Sequence, residues 1–155
     1  NKPILETEKG ESGFGADIDT GYPFFVGTLS LSQELDVKRD INDPLWIEVM
    51  GLKSPVAIVL IDGEECGKIV WKPHRVELQG LAQGIRTIEI RLVNTLRNLM
   101  GPHHRLGPEP SSVGANSFSD GANWKDSYSF VPNGFDRIRI YPYVEGNLPS
   151  AVKAS

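Results

Sequence analysis

The sequence has one cysteine and three histidines among 155 residues, and it carries a net charge of −4. A single cysteine excludes a disulfide framework within the chain and any multi-cysteine zinc site. No stretch approaches the roughly 20 consecutive apolar residues of a membrane-spanning helix. The acidic balance gives no basic excess of the kind that nucleic-acid binding requires. The sequence therefore predicts neither a nucleic-acid nor a membrane partner.

Glycine and proline are abundant instead, with 16 and 11 copies. Each of these residues marks a turn or blocks a helix interior, so their number favours a loop-rich all-β chain. The length is that of one domain with its own core. The chain starts at Asn1 and not at Met, which indicates a processed or excised piece.

The most informative stretch runs from Leu45 to Asn94. Residues 56–61 are apolar and largely β-branched, Asp62 and Gly63 follow, and 64–70 return. Asp-Gly suits a type I′ turn, in which both central residues have positive φ, so we expect a hairpin. Residues 85–94 alternate apolar and polar side chains, which indicates a strand that is buried on one face. Cys66, within the hairpin, is expected to be a buried structural thiol.

The remaining segments predict further short strands and long loops. We expect strands at 22–35, 45–49, 76–78, 127–131 and 136–144, a possible short strand at 4–5, and a helical turn at 95–100. The sandwich domain would span 22–144, with 1–21 as a polar N-terminal segment of the same domain, 101–126 as a long loop, and 145–155 as a tail or linker. This pattern predicts an all-β fold, an antiparallel β-sandwich, with a barrel as the competing architecture.

Four segments give the chain a resemblance to a known family: FVGTLS at 25–30, LWIEV at 45–49, AIVLIDGEECG at 57–67 and IEIRLVN at 88–94. They resemble the galactose-binding-like jelly-roll domain that accompanies glycoside hydrolases, of which family 2 β-galactosidases and β-glucuronidases are the familiar hosts. The resemblance covers 22–104 well and 124–144 loosely. The segments 77–81 and 101–126 depart from the family pattern. The resemblance implies a sandwich fold, a secreted or periplasmic location, and a structural calcium ion in some similar modules.

Candidate carbohydrate-binding residues are Trp71, His74, Arg75, Arg97 and Trp124. An aromatic face can stack on the C–H groups of a pyranose, and Arg or His can hydrogen-bond its hydroxyls. The alternatives stay open: Trp71 would pack against a sheet edge or a neighbouring domain, and Trp124 would anchor the loop. Arg97 would either contact a sugar or pair with a carboxylate such as that of Asp126.

Other polar residues are assigned mainly structural roles. Asn94 and Asn98 are expected to satisfy backbone groups of the loop. His103 and His104 would bind a metal ion only if a third ligand joined them. Asp17 and Asp19 are a weak calcium signal beside the interpretation as a solvated loop. We therefore predict no cofactor and no metal site, leaving a structural calcium ion open.

No catalytic constellation is apparent in the sequence. A glycosidase needs two carboxylates set across a sugar, and the adjacent Glu64 and Glu65 would point to opposite faces of a strand. We therefore predict a non-catalytic accessory domain of a larger carbohydrate-active enzyme, whose partners are carbohydrate or a neighbouring catalytic domain of the same parent chain. An independent carbohydrate-binding module and a purely structural interdomain module are the alternatives.

Overall fold

In the computed structural model of the chain, residues 5–7, 23–118 and 123–142 are described, the first of these ranges by its backbone alone. The strands are β1 (Leu5–Thr7), β2 (Thr28–Val37), β3 (Leu45–Met50), β4 (Val56–Ile61), β5 (Glu64–Ile69), β6 (Arg75–Leu78), β7 (Gly84–Val93) and β8 (Arg137–Pro142). A short helix α1 (Arg97–Met100) and a 3-10 turn (Ala115–Phe118) lie between β7 and β8. No helix in these ranges has the length and apolar character needed to cross a membrane.

The strands form two four-stranded sheets. Sheet A has the order β1-β8-β3-β6, and sheet B has the order β2-β7-β4-β5. Every pairing among these strands is antiparallel. The inward side chains of the two sheets share one apolar cluster. The prediction of an antiparallel β-sandwich is therefore confirmed, and the sheets do not close into a barrel in the described part of the chain.

The core follows from the alternation read in the sequence. In β3, Leu45, Ile47 and Val49 are fully buried, and in β7, Ile88, Ile90 and Leu92 are at most 1% exposed. Their neighbours along each strand are only half-buried. Because side chains in a strand point alternately to the two faces, each strand gives one row to the core and the other row to the outer face.

The hairpin turn between β4 and β5 has the geometry that its residues predict. Asp62 has a φ of 52° and Gly63 a φ of 86°. The Asp62 side chain also fastens the turn to β7, because its Oδ1 accepts the Thr87 N–H at 2.8 Å and its Oδ2 accepts Arg86 Nη1 at 3.1 Å. The hydrogen bond from Thr87, followed by that from Arg86, lowers the pKa of the Asp62 carboxyl. The turn residue thus links the β4–β5 hairpin to β7.

Some predicted bounds are corrected. The first long strand begins at Thr28, because residues 23–27 form a turn and bend. The strand expected at 127–131 does not form: Ser129 Oγ donates to the Arg105 carbonyl at 3.0 Å, and Val131 N–H donates to the Asn98 side chain. This segment therefore bonds to loops and to a side chain, and it lacks a neighbouring strand to pair with. The possible strand at 4–5 corresponds to β1, which is described at Leu5–Thr7, whereas Ile4 lies outside the described residues.

Cys66 is half-buried, where a buried position was predicted. It falls at an irregularity in the β4–β5 ladder, where Val59 pairs with Gly67 and Leu60 with Glu65. Burial raises the pKa of the thiol, which keeps it protonated at neutral pH.

Candidate functional site

Four of the five candidate residues, Trp71, His74, Arg97 and Trp124, lie at one end of the sandwich. The strand registers place the segments 23–27, 51–55, 70–74 and 94–136 together there, and we call this the loop end. The opposite end carries the 38–44 and 79–83 connections and the hairpin turn. The loop end is thus the only end that combines the predicted aromatic and cationic side chains of the described chain.

Two asparagines attach the long 94–136 excursion to the sandwich, as predicted. Asn94 Nδ2 donates to the Phe25 carbonyl at 2.9 Å. Asn98, which is 6% exposed, donates to the Val131 carbonyl at 2.9 Å and accepts the Val131 N–H at 2.8 Å. The Asn98 side chain therefore satisfies both the N–H and the C=O of Val131, which a neighbouring strand would do in a sheet.

Arg97 pairs with Glu109, not with Asp126 as the sequence suggested. Its Nε and Nη2 both bond the Glu109 carboxylate, the second at 2.8 Å. This hydrogen bonding lowers the pKa of Glu109, and the charge of Arg105 adds to the effect. A Cβ at Gly101 would overlap Arg97 Nη1, so the guanidinium packs on bare backbone there. Arg97 Nη1 is buried without a hydrogen-bond partner among the described residues.

An aromatic cluster fills the space between 23–27 and the excursion. Its rings are Phe24, His103, His104, Trp124, Tyr128 and Phe130. Trp124 stacks on His104 with 4.4 Å between ring centroids, and Tyr128 lies 4.7 Å from His104. Trp124 remains 44% exposed, so only part of its surface is used by this packing.

Backbone carbonyls orient both histidine rings. His103 Nε2 lies 2.7 Å from the Asn98 carbonyl, and His104 Nδ1 lies 3.1 Å from the Lys125 carbonyl. A carbonyl only accepts, so each of these nitrogens carries the proton. In the neutral ring the other nitrogen is left as an acceptor. In the described residues no group of three His, Cys, Asp or Glu side chains lies close enough to hold a metal ion; Asp17 and Asp19 lie outside these residues.

A cavity of about 360 Å³ lies beside the aromatic cluster. Its lining comes from three stretches of the excursion: 99–105, 116–118 and 123–124. An isolated β-bridge between Arg105 and Trp124 ties two of these walls together. Arg105 is a lining residue whose Nε is buried without a partner among the described residues. The cavity therefore combines an aromatic wall with a cation.

The structure does not bring the five predicted binding residues into one cluster. Trp71 is 77% exposed and follows β5, an edge strand that faces β6 across the sandwich. Phe24, which belongs to the aromatic cluster, precedes β2 at the other edge of sheet B. Trp71 and His74 therefore lie apart from Trp124 and the cavity, although all are at the loop end.

Arg75 and His74 have local partners. Arg75 lies 4.3 Å over the Trp46 ring on the outer face of sheet A and donates to Tyr141 Oη at 3.4 Å. The His74 carbonyl accepts the N–H of the residue opposite it in β3. Burial, with a contribution from Lys72, lowers the pKa of the His74 ring, against the opposing charge of Glu48. Arg75 therefore lies on the outer face of sheet A, whereas His74 lies on the 70–74 loop.

Sequence reasoning missed Arg105 and Phe118 as cavity residues and treated His103 and His104 only as metal ligands. A signal was present: the excursion holds Phe118, Trp124, Tyr128 and Phe130 within a segment otherwise rich in Gly, Pro and Ser. Aromatic residues at that density in a long loop indicate a small satellite core with its own walls.

The two sheets and their loop end define an antiparallel β-sandwich domain, and solved structures contain the same fold as part of larger enzymes. The chain is similar to the rhamnosidase from Novosphingobium sp. PP1Y, with a TM-score of 0.56 and 22% sequence identity over 80% of this chain and 12% of that chain. The predicted jelly-roll resemblance is thus confirmed for the fold, and the chain spans about an eighth of the rhamnosidase.

A lower-scoring structural match is the GH2 beta-galacturonidase from Eisenbergiella tayi, in structures bound to galacturonate and to glycerol. The TM-score is 0.46 at 18% identity, over 90% of this chain and 23% of that chain. No protein-family model and no curated protein matches the sequence.

Proposed function

We propose that this chain is a non-catalytic β-sandwich domain of a larger carbohydrate-active enzyme, and that its loop end packs against the catalytic domain of that enzyme. The observation that supports this most directly is the distribution of exposed apolar side chains. Among the described residues, every exposed large apolar side chain except Ile85 lies at the loop end or in the first residues of β2 beside it.

The size of the exposed side chains argues for a covered surface. Leu96, Leu99 and Met100 are 52%, 49% and 64% exposed on and beside α1, and Leu106 and Val113 are exposed further along the excursion. Exposed apolar side chains that gather at one end of a domain are typical of an interaction site. The opposite end carries polar turn residues in its 38–44 and 79–83 connections, so the asymmetry is not a general property of the loops.

The carboxylates of the described residues support a non-catalytic role. Glu109 is held by Arg97, and Asp136 lies 3.7 Å from Lys53. Glu64 and Glu65 lie on β5, in the hairpin whose turn is at the far end. A glycosidase needs two carboxyl groups set across the scissile bond, and Glu109 is already bonded to Arg97 in this chain. The fold similarity to 12% of a rhamnosidase is consistent with a domain of a larger enzyme.

The test of the proposed packing uses matched charge substitutions in the parent enzyme. Leu96→Glu places a charge in the apolar surface, and Ile85→Glu places one at a residue of similar exposure at the other end. We expect Leu96→Glu to lower the melting temperature of the catalytic domain and to speed proteolysis between the two domains, with Ile85→Glu close to wild type. Equal effects of the two variants would refute the packing. Hydrolysis of nitrophenyl glycosides by the pure 155-residue chain, lost on Glu65→Gln, would refute the non-catalytic assignment.

A second candidate function is an independent carbohydrate-binding module. The observation that favours it is Trp71, which is 77% exposed on the 70–74 loop. A tryptophan that remains so exposed offers a free face to a sugar. Glycan-array binding by the isolated chain, with and without calcium, that falls on Trp71→Ala at an unchanged melting temperature would support this module, and its absence would leave the packing role.

A further inference from the structure

Strand β2 lies at an edge of sheet B, and its length and regularity suit pairing with a further strand. It runs for ten residues, from Thr28 to Val37, and its register against β7 continues without a shift along all ten. Among the described strands, β2 pairs with β7 alone. A long, regular edge presents a row of backbone N–H and C=O groups with which another strand can pair.

The other three edge strands carry features that disfavour such pairing. In the described part of the chain, β1 has three residues and β6 has four. Strand β5 has a register shift in its ladder with β4 and carries Glu64, Glu65 and Lys68. Short edges, bulges and charged side chains all hinder association with another chain. Strand β2 has no proline and no register shift, and its charged residues, Glu34 and Asp36, lie in one half of the strand.

Two hydrogen bonds show which backbone groups of β2 face the free edge. The Gly27 carbonyl accepts the Asn94 N–H at 2.9 Å, and this pair continues the β2–β7 register by one residue. Because residues that bond to a partner strand alternate with residues that point away, the odd-numbered residues of β2 bond to β7. The Thr87 carbonyl, which accepts the Asp62 N–H, gives the same alternation from the β4 side of β7. The outward-facing groups belong to five exposed residues: Thr28, Ser30, Ser32, Glu34 and Asp36.

A second copy of β2 is complementary to this edge. Antiparallel pairing about a two-fold axis at Ser32 is the register that pairs all five outward-facing residues at once. The pairs in this register are Thr28 with Asp36, Ser30 with Glu34, and Ser32 with Ser32. In an antiparallel ladder each pair of this kind exchanges two backbone hydrogen bonds. The free edge of β2 therefore matches itself along its whole length.

The side chains suit the same register. On the outer face each carboxylate lies opposite a hydroxyl residue, and the acidic halves of the two copies lie at opposite ends of the interface. An in-register parallel pair would instead set Glu34 and Asp36 against their own copies, and like charges directly opposite are destabilising. On the inner face Leu29, which is 38% exposed, lies opposite the buried Leu35 and gains apolar cover. The charges thus select the antiparallel arrangement.

We propose that β2 pairs with β2 of a second copy of this chain, which joins the two copies of sheet B into one eight-stranded antiparallel sheet. The interface is a strand edge and does not depend on the packing of the loop end against a catalytic domain. Pairing along one edge is small beside the roughly 1,200 Å² of the smallest stable interfaces. We therefore expect weak, reversible association, with a Kd of about 10 to 100 µM.

Sedimentation velocity on the 155-residue chain, over concentrations from about 1 to 500 µM, measures this association. Ser32→Pro removes the central outward N–H and keeps the bonds of β2 to β7, because proline is tolerated where the N–H of an edge strand faces solvent. We expect Ser32→Pro to weaken association about tenfold or more, and Ser32→Ala, which keeps the N–H, to stay within about twofold of wild type. Unchanged melting temperatures would show that the variants fold.

A charge exchange at the same position tests the register and does not need proline. Ser32→Lys and Ser32→Glu each place two like charges opposite each other across the two-fold axis. Each variant alone should associate about tenfold more weakly than wild type, and an equimolar mixture of the two should form heterodimers. This recovery requires position 32 to face position 32. A mixture that associates no better than its components would overturn the proposed register.

Hydrogen exchange identifies the edge independently. The amides of Ser30, Ser32 and Glu34 should exchange freely in dilute solution and gain protection as the concentration rises, whereas the Leu31 amide, which bonds to β7, should be protected throughout. Three results would overturn the proposal. They are a monomer at every concentration, an association that survives Ser32→Pro and is lost on Leu96→Glu at the loop end, and protection of the Ser32 amide in the dilute monomer, which would mean that another segment of the chain occupies the edge.

Discussion

Asn98 offers the sharpest test of how the excursion is held to the sandwich. Its side chain forms two hydrogen bonds with Val131, at 2.9 and 2.8 Å, and neither residue belongs to the buried apolar cluster. Asn98→Ala removes both bonds and leaves the Val131 N–H and C=O without those partners. At about 1 kcal/mol net for each hydrogen bond, the loss is about 2 kcal/mol. We expect this loss to lower the free energy of local opening of the 94–136 excursion and not that of opening the core strands, because the core strands keep all their contacts.

Amide hydrogen exchange measures this loss directly. A change of about 2 kcal/mol in a local opening equilibrium corresponds to a protection loss of about thirtyfold, which we expect at Val131 and in the segments bonded to it. The amide of Ile90, in the centre of β7, should exchange as in the wild type. Gln79→Ala is the matched control, since it removes an exposed amide side chain at the other end. Equal protection loss at Ile90 and Val131, or none at Val131, would refute the reasoning.

Three further predictions concern the sandwich itself. Ile90→Ala, at a fully buried position, should lower the free energy of unfolding by about 2 to 5 kcal/mol in urea titrations, whereas Ile85→Ala, 59% exposed, should stay within about 0.5 kcal/mol. Asp62 has a folded pKa below its unfolded value because of the Thr87 hydrogen bond. Its stabilisation is therefore present above the unfolded pKa of about 4 and is lost as the pH falls through the folded pKa. The melting temperatures of wild type and Asp62→Asn should converge below that pH, and a constant difference would contradict the assignment. Cys66, whose thiol pKa is raised by burial, should react with a disulfide reagent at pH 7.5 more slowly in the folded chain than in urea, and equal rates would contradict this.

The sequence predicted those parts of the fold in which local pattern and tertiary contact agree. The 85–94 alternation and the Asp62-Gly63 turn each have one low-energy backbone solution, and both appear in the structure. The strand expected at 127–131 shows the limit. Its residues have strand propensity, but their partners are the Asn98 side chain and loop carbonyls far away in sequence. No local pattern encodes those contacts.

The candidate site, like the fold, could be predicted only in part from the sequence. Arg97 was expected to find a carboxylate, and which one it finds depends on how the excursion folds. Arg75 was expected on the loop, but it is the first residue of β6, where Val76 faces inward and Arg75 therefore faces outward. The cavity was not readable, since its walls come from three stretches of one loop. A long loop with several aromatic residues signals that a structure forms there, without giving its shape.

The place of β8 has a consequence for the order in which the chain folds. Sheet B and the β3–β6 pair are built wholly from residues 28–93, whereas β8 lies between β1 and β3 and arrives only after the 94–136 excursion. Closing that long segment costs entropy before any contact of β8 repays it. Among the described strands β1 pairs only with β8, so β1 cannot pair until β8 has formed. We therefore expect amides of β7 to gain protection before those of β8 and β1 in pulse-labelling exchange during refolding, and simultaneous protection would contradict this order.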